Sequence, residues 1–458
     1  MSQGFLALIL AAGKGTRFKS DRIKVLHPLL GKSMLQLVVD SVLGLKPQKV
    51  YVVVGYQKDE IRKEVQSDRV ALVHQKEQLG TAHAVMAAKS ILRKDINKDV
   101  LIINADLPLV RPQTLKPLLA LHRKERNSLT FLSAELENPT GFGRIIRSEG
   151  KIRVIEEKDA SPSVKKIKEV NTGVYLFKIK DLIDALPKVS NQNKKKEYYL
   201  TDVTGIMAQE RKKIGSYKTP NTGEFVGVNS RYELAQAIEV LRERKIKDLT
   251  EKGVTVLDPG TTWIDLDVKI GLDSVIYPSV VIEGRTVIGR ECRLYPFTHI
   301  RDSRLGSGVE ILGSTMIENS VIENDARVGP FSRLRPDSII RKKAKVGNFV
   351  EMKNTELGSK SKAMHLSYLG DSEIKGEVNV GAGTITCNYD GQKKHKTYID
   401  KGVFIGSGTE LIAPLKIGKK AYIGAGSTIT KDVSPEALAV SRSRQVEKKN
   451  WSRKNRKK

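Results

Sequence analysis

Ile270-Gly271, Ile282-Glu283, Ile288-Gly289, Leu305-Gly306, Ile322-Glu323, Val328-Gly329, Val346-Gly347, Leu357-Gly358, Ile374-Lys375, Val380-Gly381, Ile417-Gly418 and Ile423-Gly424 repeat one pattern: an aliphatic residue, then a glycine or a polar residue, on a grid of six positions between about residues 268 and 433. Six is neither the 3.6 of a helix nor the 2 of a hairpin strand, so the stretch reads as a repeat architecture. Each repeat supplies a short strand and a corner. The aliphatic side chain points to the axis, and the small residue is expected to let the chain turn. Three repeats close a triangular coil, giving a parallel β-helix. A β-sandwich would show turn signals every roughly 8–12 residues with strong alternation, which this stretch does not have.

The pattern resembles the hexapeptide repeat of left-handed β-helix acyltransferases. That resemblance, and not the spacing, implies left-handed coiling, an exception to the usual right-handed crossover.

The rest of the chain sets bounds. At 458 residues there is room for two or three domains with filled cores. The apolar run Phe5 to Ala12 is too short to span a membrane, and its basic residues follow it where a signal peptide has them first. Only Cys292 and Cys387 are present, which excludes a disulfide framework and points to a reducing, cytoplasmic setting. A net charge of +28 draws anions. Aromatic residues are 5% and are not interleaved with basic stretches, so small polyanions are expected as partners rather than nucleic acid.

Residues 1–229 alternate apolar strands (Phe5 to Leu10, Val50 to Gly55, Ala71 to His74, Val100 to Asn104, Leu129 to Ala134, Val174 to Phe177) with helical spacing over Ser33 to Leu43, Lys58 to Val65, Thr81 to Leu92 and Thr114 to Arg126. This predicts an α/β, Rossmann-like domain with a mainly parallel sheet. A connecting helix follows over 230–252, with Leu234, Ile238, Leu241 and Leu249 as its buried stripe. The β-helix takes 253–446, with one insertion between Thr386 and Gly402, and a basic tail takes 447–458.

Directly after the first strand comes Leu10-Ala11-Ala12-Gly13-Lys14-Gly15-Thr16-Arg17, then Lys24. Glycines let backbone amides approach phosphates, and the cations can meet their charge. Neither a P-loop nor G-x-G-x-x-G is present. The string resembles the signature of sugar-phosphate nucleotidylyltransferases. Together with the repeats, nearly the whole chain is similar to the family of bifunctional bacterial enzymes that join an N-acetylglucosamine-1-phosphate uridyltransferase to a glucosamine-1-phosphate acetyltransferase.

The resemblance implies roles at matching positions. Leu10, Ala11, Ala12, Gly13, Arg17 and Lys24 surround the triphosphate of UTP, while Gln75, Gly80 and Thr81 meet uracil. Asp106, after the strand ending at Asn104, would hold Mg²⁺ with Asn229, an oxygen set that suits this metal. Gly143, Glu156 and Asn171 would hold the sugar. Ile23, Ala105 and Phe142 stand where the family usually has Pro, Gly and Tyr.

In the repeats, His365 resembles the family's catalytic base, and Glu351, taken as about one coil earlier, is expected to stack beside it and orient the ring. Arg335, Lys353, Tyr368 and Asn379 would bind glucosamine 1-phosphate. Ala382, Asn388, Tyr389, Ser407, Ala425 and Arg442 match the acetyl-CoA positions, and Met364 replaces a usually smaller residue. Acetyl-CoA bound between copies makes a homotrimer the expected assembly.

Two other readings differ by feature. A single-activity nucleotidylyltransferase would lack His365, the Asn388-Tyr389 loop and Arg442. A silent or RNA-associated scaffold would lack the set Asp106, Asn229 and His365.

Overall fold

The computed structural model describes residues 4–13, 15–55, 58–65, 67–148, 151–225 and 227–455. Lys14 of the glycine-rich turn and the last three residues of the tail lie outside them. The chain divides into two units, Met1–Leu241 and Arg242–Lys458.

In the first unit, strands run across the sheet in the order Ile214–Lys218, Leu129–Glu135, Glu169–Lys178, Asp99–Asn104, Phe5–Leu10, Lys49–Val54, Val70–His74. Phe5–Leu10 pairs in parallel with both neighbours, while Glu169–Lys178 runs antiparallel to both of its own. The unit is thus a Rossmann-like α/β domain with one reversed strand, longer than the apolar run Val174 to Phe177 indicated. Leu101, Ile102 and Ile103, consecutive residues that point to alternate faces, are each fully buried, as a strand flanked on both faces requires. Helix Met34–Leu43 is capped by the Ser33 hydroxyl, which accepts from Gln36 N at 3.1 Å. The helical stretch from Thr81 breaks at Ala88 into Thr81–Ala87 and Lys89–Leu92.

Helix Arg231–Glu251 buries Leu234, Ala237, Leu241 and Leu249, with Ile238 only half-buried. Lys245, near its end, is also buried, and its ammonium donates to the carbonyls of Leu266 (2.9 Å) and Val268 (2.6 Å).

The second unit is a left-handed parallel β-helix. Ile276, Leu294, Ile311 and Val328 stack coil on coil in a dry interior, each at 0% exposure. The grid of six is only approximate. Ile270 pairs with Ile288, 18 residues on, but Ile288 pairs with Leu305 and Leu305 with Ile322, 17 residues on. The insertion after Thr386 lengthens one coil to 25, since Ile374 pairs with Ile399.

Apart from Gly329 (φ 101°), the glycines of the grid do not make the turns, contrary to the sequence expectation. The corners turn at left-handed residues three positions after the aliphatic one, such as Asp273 (φ 62°), Glu291 (φ 57°), Asp325 (φ 60°) and Lys343 (φ 60°). The glycines instead allow coils to stack: a Cβ on Gly271 would lie 2.6 Å from the Gly289 carbonyl carbon, and one on Gly347 would lie 1.9 Å from the Met364 oxygen.

Two faces of the prism join into one sheet because strands Lys345–Lys353 and Lys362–Gly370 continue around the corner between them, through left-handed Phe349 (φ 57°) and Leu366 (φ 41°). Cys292 is buried within the β-helix and Cys387 is half-buried, and both are free.

Candidate functional sites

The first strand ends at Leu10, whose carbonyl accepts from Ala105 N at 3.0 Å, while Ala11 N donates to Val53 O at 2.9 Å. These bonds place the glycine-rich turn and the Asp106 turn side by side at the carboxyl ends of adjacent strands, where open α/β sheets bind ligands. A cavity of about 580 Å³ opens there, and Leu10, Ala11, Ala12, Gly13, Arg17, Lys24, Gln75, Gly80, Thr81 and Asp106 all line it. Lys24 Nζ lies 2.8 Å from Asp106 Oδ2 and 3.2 Å from Asn229 Oδ1. Arg17 donates to the same Asn229 oxygen at 3.0 Å.

Gly80 is required twice over. Its φ is 118°, and an added Cβ would sit 2.5 Å from the Tyr198 carbonyl oxygen. Thr81 Oγ1 accepts from Leu200 N at 2.9 Å, and Gln75 is 2% exposed. Asn104, Lys195 and Glu197 also line the cavity, although no motif marks them. Gly143, Glu156 and Asn171 form a separate cluster. Gly143 O accepts from Asn171 N at 2.9 Å, and a Cβ on Gly143 would lie 3.7 Å from the Glu156 carboxylate. Burial pushes the Glu156 carboxyl above its ordinary range, against a hydrogen bond of 3.0 Å from Thr201.

The departures at 23 and 105 are local. Ile23 holds φ −53° and ψ 130°, a backbone that proline would also adopt, so the turn carrying Lys24 keeps its shape. The Ala105 methyl is buried at 1% exposure, between lining residues Asn104 and Asp106.

In the β-helix, Asn348 pairs with His365, and the same register carried through Ala363, Val380, Ile405 and Ile423 puts Ala382, Ser407 and Ala425 above them in one column. Backbone bonds follow the column, from Gly383 N to Leu366 O (2.8 Å), Gly408 N to Ala382 O (2.7 Å) and Gly426 N to Ser407 O (2.8 Å). Arg442 ends it by donating to Ala425 O. His365 and four of the six acetyl-CoA positions therefore share one corner. Asn388 and Tyr389 begin the inserted loop: Asn388 is buried and bonded to Asp371, whereas Tyr389 is exposed.

The expected contact between Glu351 and His365 is corrected. A coil here takes 17 residues, so Glu351 pairs with Tyr368, and the ring of His365 meets Asn348 Oδ1 at 3.0 Å. The Glu351 carboxylate faces Arg335 at 2.9 Å. Lys353 stands beside Lys394 of the inserted loop, and the Lys394 ammonium, with a smaller effect from Arg335, holds the Lys353 pKa below the ordinary lysine value. Three cations thus gather where the sequence reading had two. Asn379 pairs with Lys362 and Phe404, while Tyr368 pairs with Glu351 and Ile385, so a corner at Gly383 separates Asn379 from Arg335, Lys353 and Tyr368 within one chain.

A sheet with a phosphate-ready turn at its strand ends, followed by a β-helix whose corner carries a histidine, defines a nucleotidyltransferase joined to a hexapeptide-repeat transferase. The family model described as nucleotidyl transferase matches residues 6–266. The chain is similar along its whole length to proteins named bifunctional protein GlmU: 48% identical to that of Thermotoga petrophila over 98% of this chain and 99% of the relative, 48% to that of Thermotoga maritima over the same shares, and 47% to that of a Geobacillus species over 97% of each. The chain belongs to the bifunctional GlmU family. It is an enzyme with uridylyltransferase and glucosamine-1-phosphate acetyltransferase activities, acting in UDP-N-acetylglucosamine synthesis. Among the described residues no helix is long and apolar enough to cross a membrane.

Proposed function

We propose that residues 253–446 acetylate glucosamine 1-phosphate from acetyl-CoA and that residues 1–229 then couple the product to the uridylyl group of UTP, with 230–252 as the joining helix and 447–458 as a tail. The observation that carries this reading is the single corner column of Asn348, His365, Ala382, Ser407 and Ala425. It aligns a base with a run of small residues suited to a long, narrow thioester cofactor.

In acetyl transfer, Asn348 Oδ1 accepts from His365 Nδ1, which leaves Nε2 with the lone pair. Nε2 takes a proton from the sugar amine as nitrogen attacks the thioester carbonyl. The C–N bond forms, the C–S bond breaks, and the proton passes to the departing thiolate. Arg335, Lys353 and Lys394 meet the sugar phosphate. The Glu351 carboxylate, 2.9 Å from Arg335, orients that guanidinium for the phosphate. Tyr368 and Asn379 orient the sugar, and Asn388, Tyr389 and Arg442 hold acetyl-CoA.

In uridylyl transfer, Leu10, Ala11, Ala12, Gly13, Arg17 and Lys24 receive the triphosphate. Gln75, Gly80 and Thr81 read uracil, and Gly143, Glu156 and Asn171 hold the sugar. The sugar phosphate oxygen attacks the α-phosphorus and pyrophosphate leaves, so no protein nucleophile is needed. Asp106 and Asn229 present oxygens that converge on one cation, the Lys24 ammonium, and this donor set fits Mg²⁺. The metal would supply charge neutralisation at the phosphates.

A cytoplasmic homotrimer completes the reading. Phe331, Phe349 and Leu366 form an exposed apolar ridge at 55–66% exposure, next to His365, with Phe331 and Phe349 stacked at 5.6 Å. Such a ridge marks an interaction surface, and a second copy can bring its Asn379 to the Arg335 face.

The test is a mass-spectrometric product assay with glucosamine 1-phosphate, acetyl-CoA, UTP and Mg²⁺. UDP-N-acetylglucosamine is the expected product. Only N-acetylglucosamine 1-phosphate would remove the first site, and no product would remove both.

A further inference from the structure

The Gln75 side chain is almost wholly buried at the floor of the nucleotide cavity, and its amide nitrogen has two partners: Gly80 O at 3.4 Å and His83 Nδ1 at 2.9 Å. A carbonyl oxygen can only accept, so the Gly80 contact identifies which end of the amide carries the hydrogens, while the shorter contact, to His83, holds it there. Nδ1 of His83 must then also accept, which puts the ring proton on Nε2. The ring is held in place by Tyr198, with centroids 6.2 Å apart. Tyr198 is itself clamped by backbone bonds to both ends of the same turn, from Tyr198 N to Leu79 O (2.8 Å) and from Ala82 N to Tyr198 O (2.9 Å).

Both amide hydrogens of Gln75 are thereby used inside the protein, and its oxygen is the group left for a base. An oxygen acceptor matches the N3–H of uracil. It meets the bare N3 lone pair of cytosine with repulsion. We infer that His83 is a specificity-determining positioning residue: it locks the Gln75 amide with its oxygen toward the base, so that the site takes UTP and rejects CTP. The inference rests on the reading of Gln75 as the uracil contact.

A site built around one hydrogen bond rejects an analogue that cannot make it, because the buried group is left unpaired. Without the His83 acceptor, the amide can rotate and offer NH₂ to cytosine N3.

The experiment measures kcat/KM for UTP and for CTP in the full-length protein and in H83F, H83N and Q75A, with acetyl transfer as the control for folding. H83F keeps a ring beside Tyr198 but has no acceptor. The expected result is that H83F narrows the UTP:CTP ratio by about tenfold or more, a factor of about 1.4 kcal/mol, while H83N, whose amide oxygen can accept, restores most of it. If H83F lowers both nucleotides equally, or leaves the ratio unchanged while Q75A narrows it, the role of His83 is overturned. If Q75A also leaves the ratio unchanged, the uracil assignment of Gln75 itself falls.

Discussion

The Lys24 ammonium stands 2.8 Å from the Asp106 carboxylate, at 11% and 24% side-chain exposure, and the same nitrogen reaches Asn229. A cation thus bridges the two oxygens proposed for magnesium, and it must yield that place for the metal to bind. D106A should lower uridylyl transfer by about 100-fold or more and leave acetyl transfer intact. K24Q should bind Mn²⁺ more tightly than the unaltered protein in a titration without nucleotide. Full uridylyl transfer by D106A would remove the metal assignment.

His365 has an acceptor, Asn348, on one nitrogen. H365A should reduce acetyl transfer by roughly 10²–10⁴-fold and spare uridylyl transfer. N348A should reduce kcat by about tenfold, the factor carried by one hydrogen bond of about 1.4 kcal/mol, with little change in KM for acetyl-CoA. Steady-state kinetics on each half-reaction decides the point, and an unchanged acetylation rate in H365A would refute the base.

Phe349 stacks on Phe331 along an exposed ridge beside the acetyl-transfer corner. F349E places a charge there. Light scattering should then report a mass near the 50.9 kDa of one chain, and acetyl transfer should fall with it. Unchanged mass would show that the ridge is not the contact between copies.

Gly347 and Gly13 are glycines for different reasons. An added methyl at 347 meets the Met364 carbonyl oxygen at 1.9 Å, and one at 13 meets nothing within 4 Å. G347A should cost about 1–3 kcal/mol by forcing two coils apart, visible as a lowered melting temperature. G13A should melt close to the unaltered protein, any defect being confined to uridylyl transfer. Equal melting of G347A would contradict the coil-spacing argument.

Burial, reinforced by the nearby Glu156 carboxylate, pushes the Asp202 carboxyl up to about 6 from its ordinary 3.8. The folded state therefore favours the neutral acid. Its contribution to stability is complete below pH 3.8 and is lost as pH rises through about 6. D202N should melt like the unaltered protein near the low end of that window and higher than it above pH 7. Melting curves across the range test this, and a D202N variant less stable at high pH would reverse the sign.

The recurrence of an aliphatic residue fixes a β-helix from sequence because a coil can bury its interior only if each strand delivers one apolar side chain to the axis. The string from Leu10 to Lys24 likewise carries its chemistry openly, as glycines and cations directly after a buried strand. Much of the order of elements was also legible, whereas strands Arg144–Ser148, Lys151–Ile155 and Ile214–Lys218 and helices Ile179–Ala185 and Asp202–Gln209 came only with the structure.

Which side chains meet was decided only by the tertiary structure. A coil of 17 residues sets the neighbour of His365, so Asn348 lies against the ring, whereas Glu351, 14 positions before the histidine, falls beside Tyr368. The corner at Gly383 turns Asn379 away from Tyr368, and the insertion brings Lys394 to Lys353. The sequence period names the residue that points inward. Parallel pairing between coils selects the outward neighbour, and a coil one residue shorter exchanges it for another.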